Sequence, residues 1–187
     1  PLWAIWDIHQ YAKDAGNQEA IKRYGKLVKD LLQFIIDQKH PTLHLADNGL
    51  VTTDGTKVPM TWMDSSRPDG TPIIPRSGYI VEFNALWYNA LKFAQNLFAD
   101  DVASIDQVKV WEEITDKAKD AFINTFLNES GYLYDYVDGY YSDPSVRPNM
   151  IIAAGLDYSP LDRRQRKSVL DFVTRELLTP KGLRTLS

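Results

Sequence analysis

Apolar residues recur at helical spacing along most of this chain, and the places where that rhythm breaks divide it. Within residues 18–38, Ala20, Ile21, Tyr24, Leu27, Val28, Leu31, Leu32 and Ile35 form one stripe. Lys22, Arg23, Lys26 and Lys29 lie toward the other side, which predicts an amphipathic helix ending before Pro41. Residues 2–13 are apolar on most sides, with Trp3, Ile5, Trp6, His9 and Tyr11, as in a helix buried among others. Residues 82–98 carry Phe83, Leu86, Trp87, Ala90, Leu91, Ala94, Leu97 and Phe98, with Asn84, Tyr88 and Gln95 roughly opposite. Val108, Trp111, Ile114, Ala118, Phe122 and Phe126 mark a fourth helix, and residues 147–154 begin a fifth. Ser159-Pro160-Leu161-Asp162 reads as the start of a sixth, with Ser as cap, Pro in the first turn and Asp in the capping-box position.

Between these helices the pattern changes. Residues 40–58 hold the turn dipeptides Asn48-Gly49 and Asp54-Gly55 between Leu43, Leu45, Leu50 and Val51, so short strands or an irregular arm are expected. Residues 131–145, GYLYDYVDGYYSDPS, are loop or short strand, dense in Tyr and Asp. Their acids lack calcium-loop spacing, and His44 has no second ligand at metal spacing, so no metal or other cofactor is expected.

Composition narrows the classes. The 187 residues suffice for one well-buried core, and nothing requires two domains. With 21 basic against 25 acidic side chains, a general nucleic-acid surface is not expected. The lack of cysteine excludes disulfides and thiolate metal sites and fits a cytoplasmic setting. No apolar run has membrane length. Five Trp and ten Tyr suit the C–H faces of sugars, and suit a hydrophobic core equally well.

Candidate chemistry gathers in residues 59–91. Asp64 follows Met60, Thr61, Trp62 and Met63, and apolar neighbours that keep water from a carboxyl hold it protonated, as a general acid requires. A Pro- and Gly-dense loop with Arg67 and Arg76 comes next, and it cannot be helical. Glu82, Asn84, Trp87 and Tyr88 then open a helix. An acid, a shaped loop with arginines, and aromatic and amide groups suit a polyol site. Trp62 and Met63 fit an ordinary core as well, with Asp64 in a turn or cap.

The order of these residues carries more than their types. Thr61-Trp62-Met63-Asp64, then Pro75-Arg76-Ser77-Gly78, then VEFNALWYNAL over residues 81–91, resembles the glucosidase domain of glycogen debranching enzymes, the amylo-α-1,6-glucosidase family. RPNMIIAA over 147–154, LLTPKGLRTL over 177–186 and Pro1-Leu2-Trp3 agree, so the resemblance runs almost end to end.

That resemblance implies an all-α fold, an incomplete (α/α)6 toroid of paired antiparallel helices with a long loop/short-strand arm. Residues 1–187 would form a single domain that is part of a larger glucosidase catalytic domain. It implies inverting hydrolysis of α-1,6-linked glucose, with Asp64 at the general-acid position. The family's base falls beyond the last motif present, and Glu82 is the nearest second carboxylate, more suited to hydrogen bonding substrate or ordering the loop. Trp62, Arg76, Asn84, Trp87, Tyr88, Arg147 and Asn149 fall on family motif positions and are the binding candidates; Arg147 and Asn149 fit a structural tie between helix start and loop equally. The implied partner is glycogen or a branched α-glucan, with no nucleic acid and no membrane. An isolated half-ring would be inactive, and the faces its absent helices leave open imply either self-association through them or a segment of a longer polypeptide. A related toroidal exo-glucosidase or trehalase-like hydrolase, or a non-catalytic glucan-binding helical domain, are the alternative readings.

Overall fold

The computed structural model describes residues 1–187. Six helices are present: α1 (Leu2–Ala15), α2 (Asn17–Ile36), α3 (Val81–Leu97), α4 (Ile105–Phe126), α5 (Asn149–Gly155) and α6 (Arg163–Leu177). None is long and apolar enough to cross a membrane. The all-α expectation falls short, because the arm and the Tyr-rich segment each pair with residues 78–80, one on either side. Strands β1 (His44–Leu45), β2 (Val51–Thr53), β3 (Gly78–Ile80), β4 (Tyr136–Asp138) and β5 (Tyr141–Ser142) form one antiparallel sheet in chain order. A second small hairpin joins β6 (Leu178–Thr179) to β7 (Gly182–Leu183). Strands of two or three residues leave almost no alternating pattern to read, which is why they were expected only as an arm.

Helix α3 is the centre of the molecule, packed against α1, α2, α4 and α5. Asn84, Tyr88 and Gln95, expected roughly opposite the apolar stripe, are buried as well. Each finds a specific setting. Gln95 Nε2 donates to Thr115 Oγ1 on α4 at 2.7 Å. His9 of α1 is sandwiched between Phe93 of α3 and Tyr158, with ring centroids 4.6 and 5.3 Å away. Burial holds the His9 imidazole below its ordinary pKa and Lys13 adds to that, while Asp157 opposes it. Trp111 and Phe122 from α4 meet α3 with no appreciable exposure.

The start of α6 differs from the expected one by three residues. Asp162 is the cap, accepting from Gln165 N at 2.7 Å, and the Gln165 side chain accepts from Asp162 N at 2.9 Å. Ser159 instead closes the preceding turn, accepting from Leu161 N and donating to the Ala153 carbonyl. The reciprocal Asp–Gln box satisfies two helix-end donors, more than a lone serine can.

Candidate active site

The strand-to-helix junction Ile80–Val81 ends a loop that begins near Pro59, and one buried arginine gathers that loop onto the fold. Arg76 grips Glu82, the second residue of α3, with both arms of its guanidinium: Nη1 to Oε1 at 2.6 Å and Nη2 to Oε2 at 2.7 Å. The same Nη2 donates to the Asp135 side chain at 3.0 Å and to its carbonyl at 3.1 Å. Arg76 Nε lies 2.8 Å from Asp135 Oδ2, an ion-pair contact rather than an aligned hydrogen bond. Arg147 Nε reaches that oxygen from the other side at 3.3 Å. Asn149, the first residue of α5, donates Nδ2 to Asp135 Oδ1 at 2.6 Å and accepts at Oδ1 from the Trp62 indole at 2.8 Å. Two arginines thus meet two carboxylates, all of them buried. The chain leading to Trp62 is continuous: Glu82, Arg76, Asp135, Asn149, Trp62.

Burial opposes the Arg76 charge, but the hydrogen bonds and charges of Glu82 and Asp135 outweigh it, so its pKa stands above the ordinary arginine value. For Asp135 burial wins. It raises the carboxyl to about 6 against the pull of Arg76, the Asn149 hydrogen bond and Arg147, with the Glu82 charge adding to the rise. A carboxyl whose folded pKa is raised binds more protons folded than unfolded, so its contribution to stability is fullest below its ordinary 3.8 and declines as pH rises to about 6. Over that window wild type should lose stability relative to Asp135→Asn, on the order of 3 kcal/mol at about 1.36 kcal/mol for each pH unit between 3.8 and about 6. Urea unfolding of both proteins from pH 3.5 to 7 measures this, and a gap that widens in favour of wild type as pH rises would contradict it.

The loop itself is tightly fitted. A Cβ on Gly55 would run into the Arg76 carbonyl oxygen, so only glycine lets the arm pass there. Asp69 closes the loop tip by accepting from both Thr71 N and Oγ1. Trp62 separates two open clefts. One, of about 290 Å³, is walled by Trp62, Met63, Ser65, Ile73, Ile74 and Arg147. The other, of about 250 Å³, is more apolar and takes in Trp3, Met60, Trp62, Glu82, Phe83 and Leu86. Both fall just short of the usual size of ligand clefts, which run from roughly 300 to 1,000 Å³.

The candidates therefore separate into two groups. The structure brings Trp62, Arg76, Glu82, Arg147 and Asn149 together. It places Asn84, Trp87 and Tyr88 elsewhere. Asn84 accepts from Val51 N at 2.7 Å and donates to the Val51 and Ile80 carbonyls, so its amide is spent on main-chain groups where the sheet meets α3. The Trp87 indole donates to the Gly49 carbonyl at 3.0 Å and ties down the arm's first turn. Tyr88 is buried, and its phenol pKa is raised by that burial and then by Asp116 of α4. None of the three faces the clefts. Asp64 departs from the expectation in another way: it is exposed, because residues 59–66 run over the surface and present it outward between Met63 and Ser65. Its apolar sequence neighbours do not enclose it. Glu82 is buried, with each of its carboxylate oxygens accepting from one arm of Arg76. Asp135 was missed at the sequence level. Its one signal was an acid in a Tyr-rich segment, and only the pairing of β3 with β4 brings it to Arg76.

No curated protein matches this chain. A family model described as amylo-alpha-1,6-glucosidase matches residues 1–187, and so covers the loop of Trp62 and Asp64, the Arg76–Glu82–Asp135 cluster and the Arg147–Asn149 corner in one span. The chain belongs to the amylo-alpha-1,6-glucosidase family.

Proposed function

We propose that this chain forms part of a glycogen-debranching glucosidase that hydrolyses α-1,6-linked glucose with inversion, and that its six helices pair as half of an (α/α)6 toroid acting in the cytoplasm. The family match over all 187 residues carries the reading. In this account Asp64 gives its proton to the glycosidic oxygen as the C1–O6 bond breaks, while a water deprotonated by a second carboxylate attacks C1 from the opposite face. Trp62, held by Asn149, offers its ring to the sugar's C–H face, and Arg147 supplies N–H donors in the cleft wall. Glu82 and Asp135 act as the counter-charges that fix Arg76 and through it the loop; neither is assigned as the base. Asp64 becomes enclosed only when further helices of the toroid, or the glucan itself, cover the loop. Trp3, Leu27 and Phe34 also present apolar surface that further helices or a second copy would cover.

The exposure of Asp64 favours one second reading, a glucan-binding domain without catalysis of its own. Incubating the complete polypeptide with branched limit dextrin separates the two. Free glucose is the expected product; maltose or longer chains contradict the debranching assignment, and binding without any product supports the second reading.

A further inference from the structure

The Tyr-rich hairpin is left without a role by the site described above, yet it rises directly from that site. Asp135 N donates to the Asp143 carbonyl at 3.0 Å, and Asp143 N donates to the Tyr136 carbonyl at 2.9 Å, so both legs are rooted at the residue that binds Arg76. Its direction is fixed by β3: a Cβ on Gly78, which stands at φ +76, would collide with the Val137 carbonyl oxygen. Asp138 pairs with Tyr141, so the loop is the two residues Gly139 and Tyr140, with Gly139 at φ +57 as a tight hairpin turn of that length requires. At about 3.3 Å per residue, the turn that begins at Gly139, four residues on, stands roughly 13 Å from Asp135.

What the hairpin carries there is not explained by any contact within residues 1–187. Turn positions favour small polar residues. Tyr140 instead is fully exposed, and Tyr141 is more than half exposed with its ring 5.7 Å from that of Tyr136. A two-residue turn holds the backbone of this pair stiffly, and Tyr136 buttresses the second ring. Flat apolar faces with a hydroxyl at the edge match the face of a pyranose ring and its equatorial hydroxyls.

We propose that Tyr140 and Tyr141 form a remote binding platform for the glucan chain, engaging glucose units beyond the one at Trp62. The inference rests on the proposed glucosidase reading and adds to it a residue pair that sets preference for polymeric over small substrates. A short substrate ends before it reaches the platform; a branched polymer spans both. Removing the platform therefore weakens polymer binding and leaves the reacting sugar untouched.

In the complete polypeptide, the double variant Tyr140→Ala/Tyr141→Ala should raise KM for branched limit dextrin about tenfold, equivalent to about 1.4 kcal/mol, with kcat held. Its kinetics on isomaltose should be unchanged, and Tyr140→Phe/Tyr141→Phe, which keeps the rings and loses the edge hydroxyls, should fall between wild type and the double Ala variant on dextrin and match wild type on isomaltose. An unchanged KM for the dextrin overturns the platform while leaving the glucosidase reading intact. Equal losses on dextrin and isomaltose overturn it too, because they mean the hairpin serves the fold of the site. Should wild type release no glucose from either substrate, the glucosidase reading fails instead, and mobility in glycogen affinity gels then decides for the hairpin. Slower migration of wild type than of the double Ala variant supports the platform; equal migration overturns it.

Discussion

In the complete enzyme, Asp64→Asn should lower kcat on branched dextrin by about 10²–10⁴-fold, the range general-acid help supplies, while glucan affinity stays within a few fold. The amide keeps the size and polarity of the side chain but has no acidic proton for the leaving oxygen. The structure sharpens this expectation. Asp64 makes no side-chain hydrogen bond, and only its main-chain carbonyl is engaged, by Ser66 Oγ at 3.3 Å. Replacing it should therefore leave the fold as stable as before. Kinetics at saturating dextrin, together with a thermal unfolding curve, measure both halves. A variant that loses affinity and rate equally, or that unfolds earlier, would show Asp64 to be structural.

Arg76→Met should have the opposite profile, a large loss of stability that takes the site with it. Exposed pairs such as Arg23–Glu19, Lys26–Asp30 and Lys167–Asp171 are i,i+4 contacts on helix surfaces, where water and salt screen the charges and losing one partner costs little. Arg76 is different, because removing it strands Glu82 and Asp135 in the interior. Breaking a buried pair in this way costs about 3–5 kcal/mol, against a total stability of about 5–15 kcal/mol for a folded protein. Arg76→Lys should recover only part, since an ammonium cannot fork both carboxylate oxygens of Glu82 and still reach Asp135. The loop's hold on Trp62 passes through Asp135 and Asn149, so indole fluorescence should report its release. Urea midpoints for Arg76→Met equal to wild type would remove the cluster from the account.

Much of this architecture is legible in the residues, and the exceptions share a cause. Half of the α2 stripe points inward as its spacing predicts, with Ala20, Val28, Leu32 and Ile35 buried, whereas Leu27 of the same stripe is exposed. Asn48-Gly49 makes its turn, with Gly49 N donating to the Ala46 carbonyl. Asp54-Gly55 does not make a hairpin, although its signal was the same. Asp54 instead caps Thr56, and Gly55 is needed because Arg76 passes against it. That need comes from a segment twenty-one residues later and leaves no local trace. Asn84 and Trp87 drew attention as sugar-binding types, and the polar atoms that attracted it are spent on the backbone of Val51 and Gly49. A buried amide or indole must find a partner, whether or not any ligand exists. Asp135 shows the reverse. Nothing in its neighbourhood of tyrosines announces an ion pair, and only the register Tyr79↔Val137 and Ile80↔Tyr136 sets it beside Arg76.

The stereochemistry of the first product tests the central claim most directly. An inverting enzyme turns an α-linked glucose into β-glucose, because the water attacks the face opposite the departing oxygen. Proton NMR of the anomeric region during the first minutes of limit-dextrin hydrolysis by the complete polypeptide resolves the two anomers before they equilibrate. The account predicts that β-glucose appears first and α-glucose grows in later by mutarotation. Alpha-glucose appearing first, or no glucose at all, would contradict it.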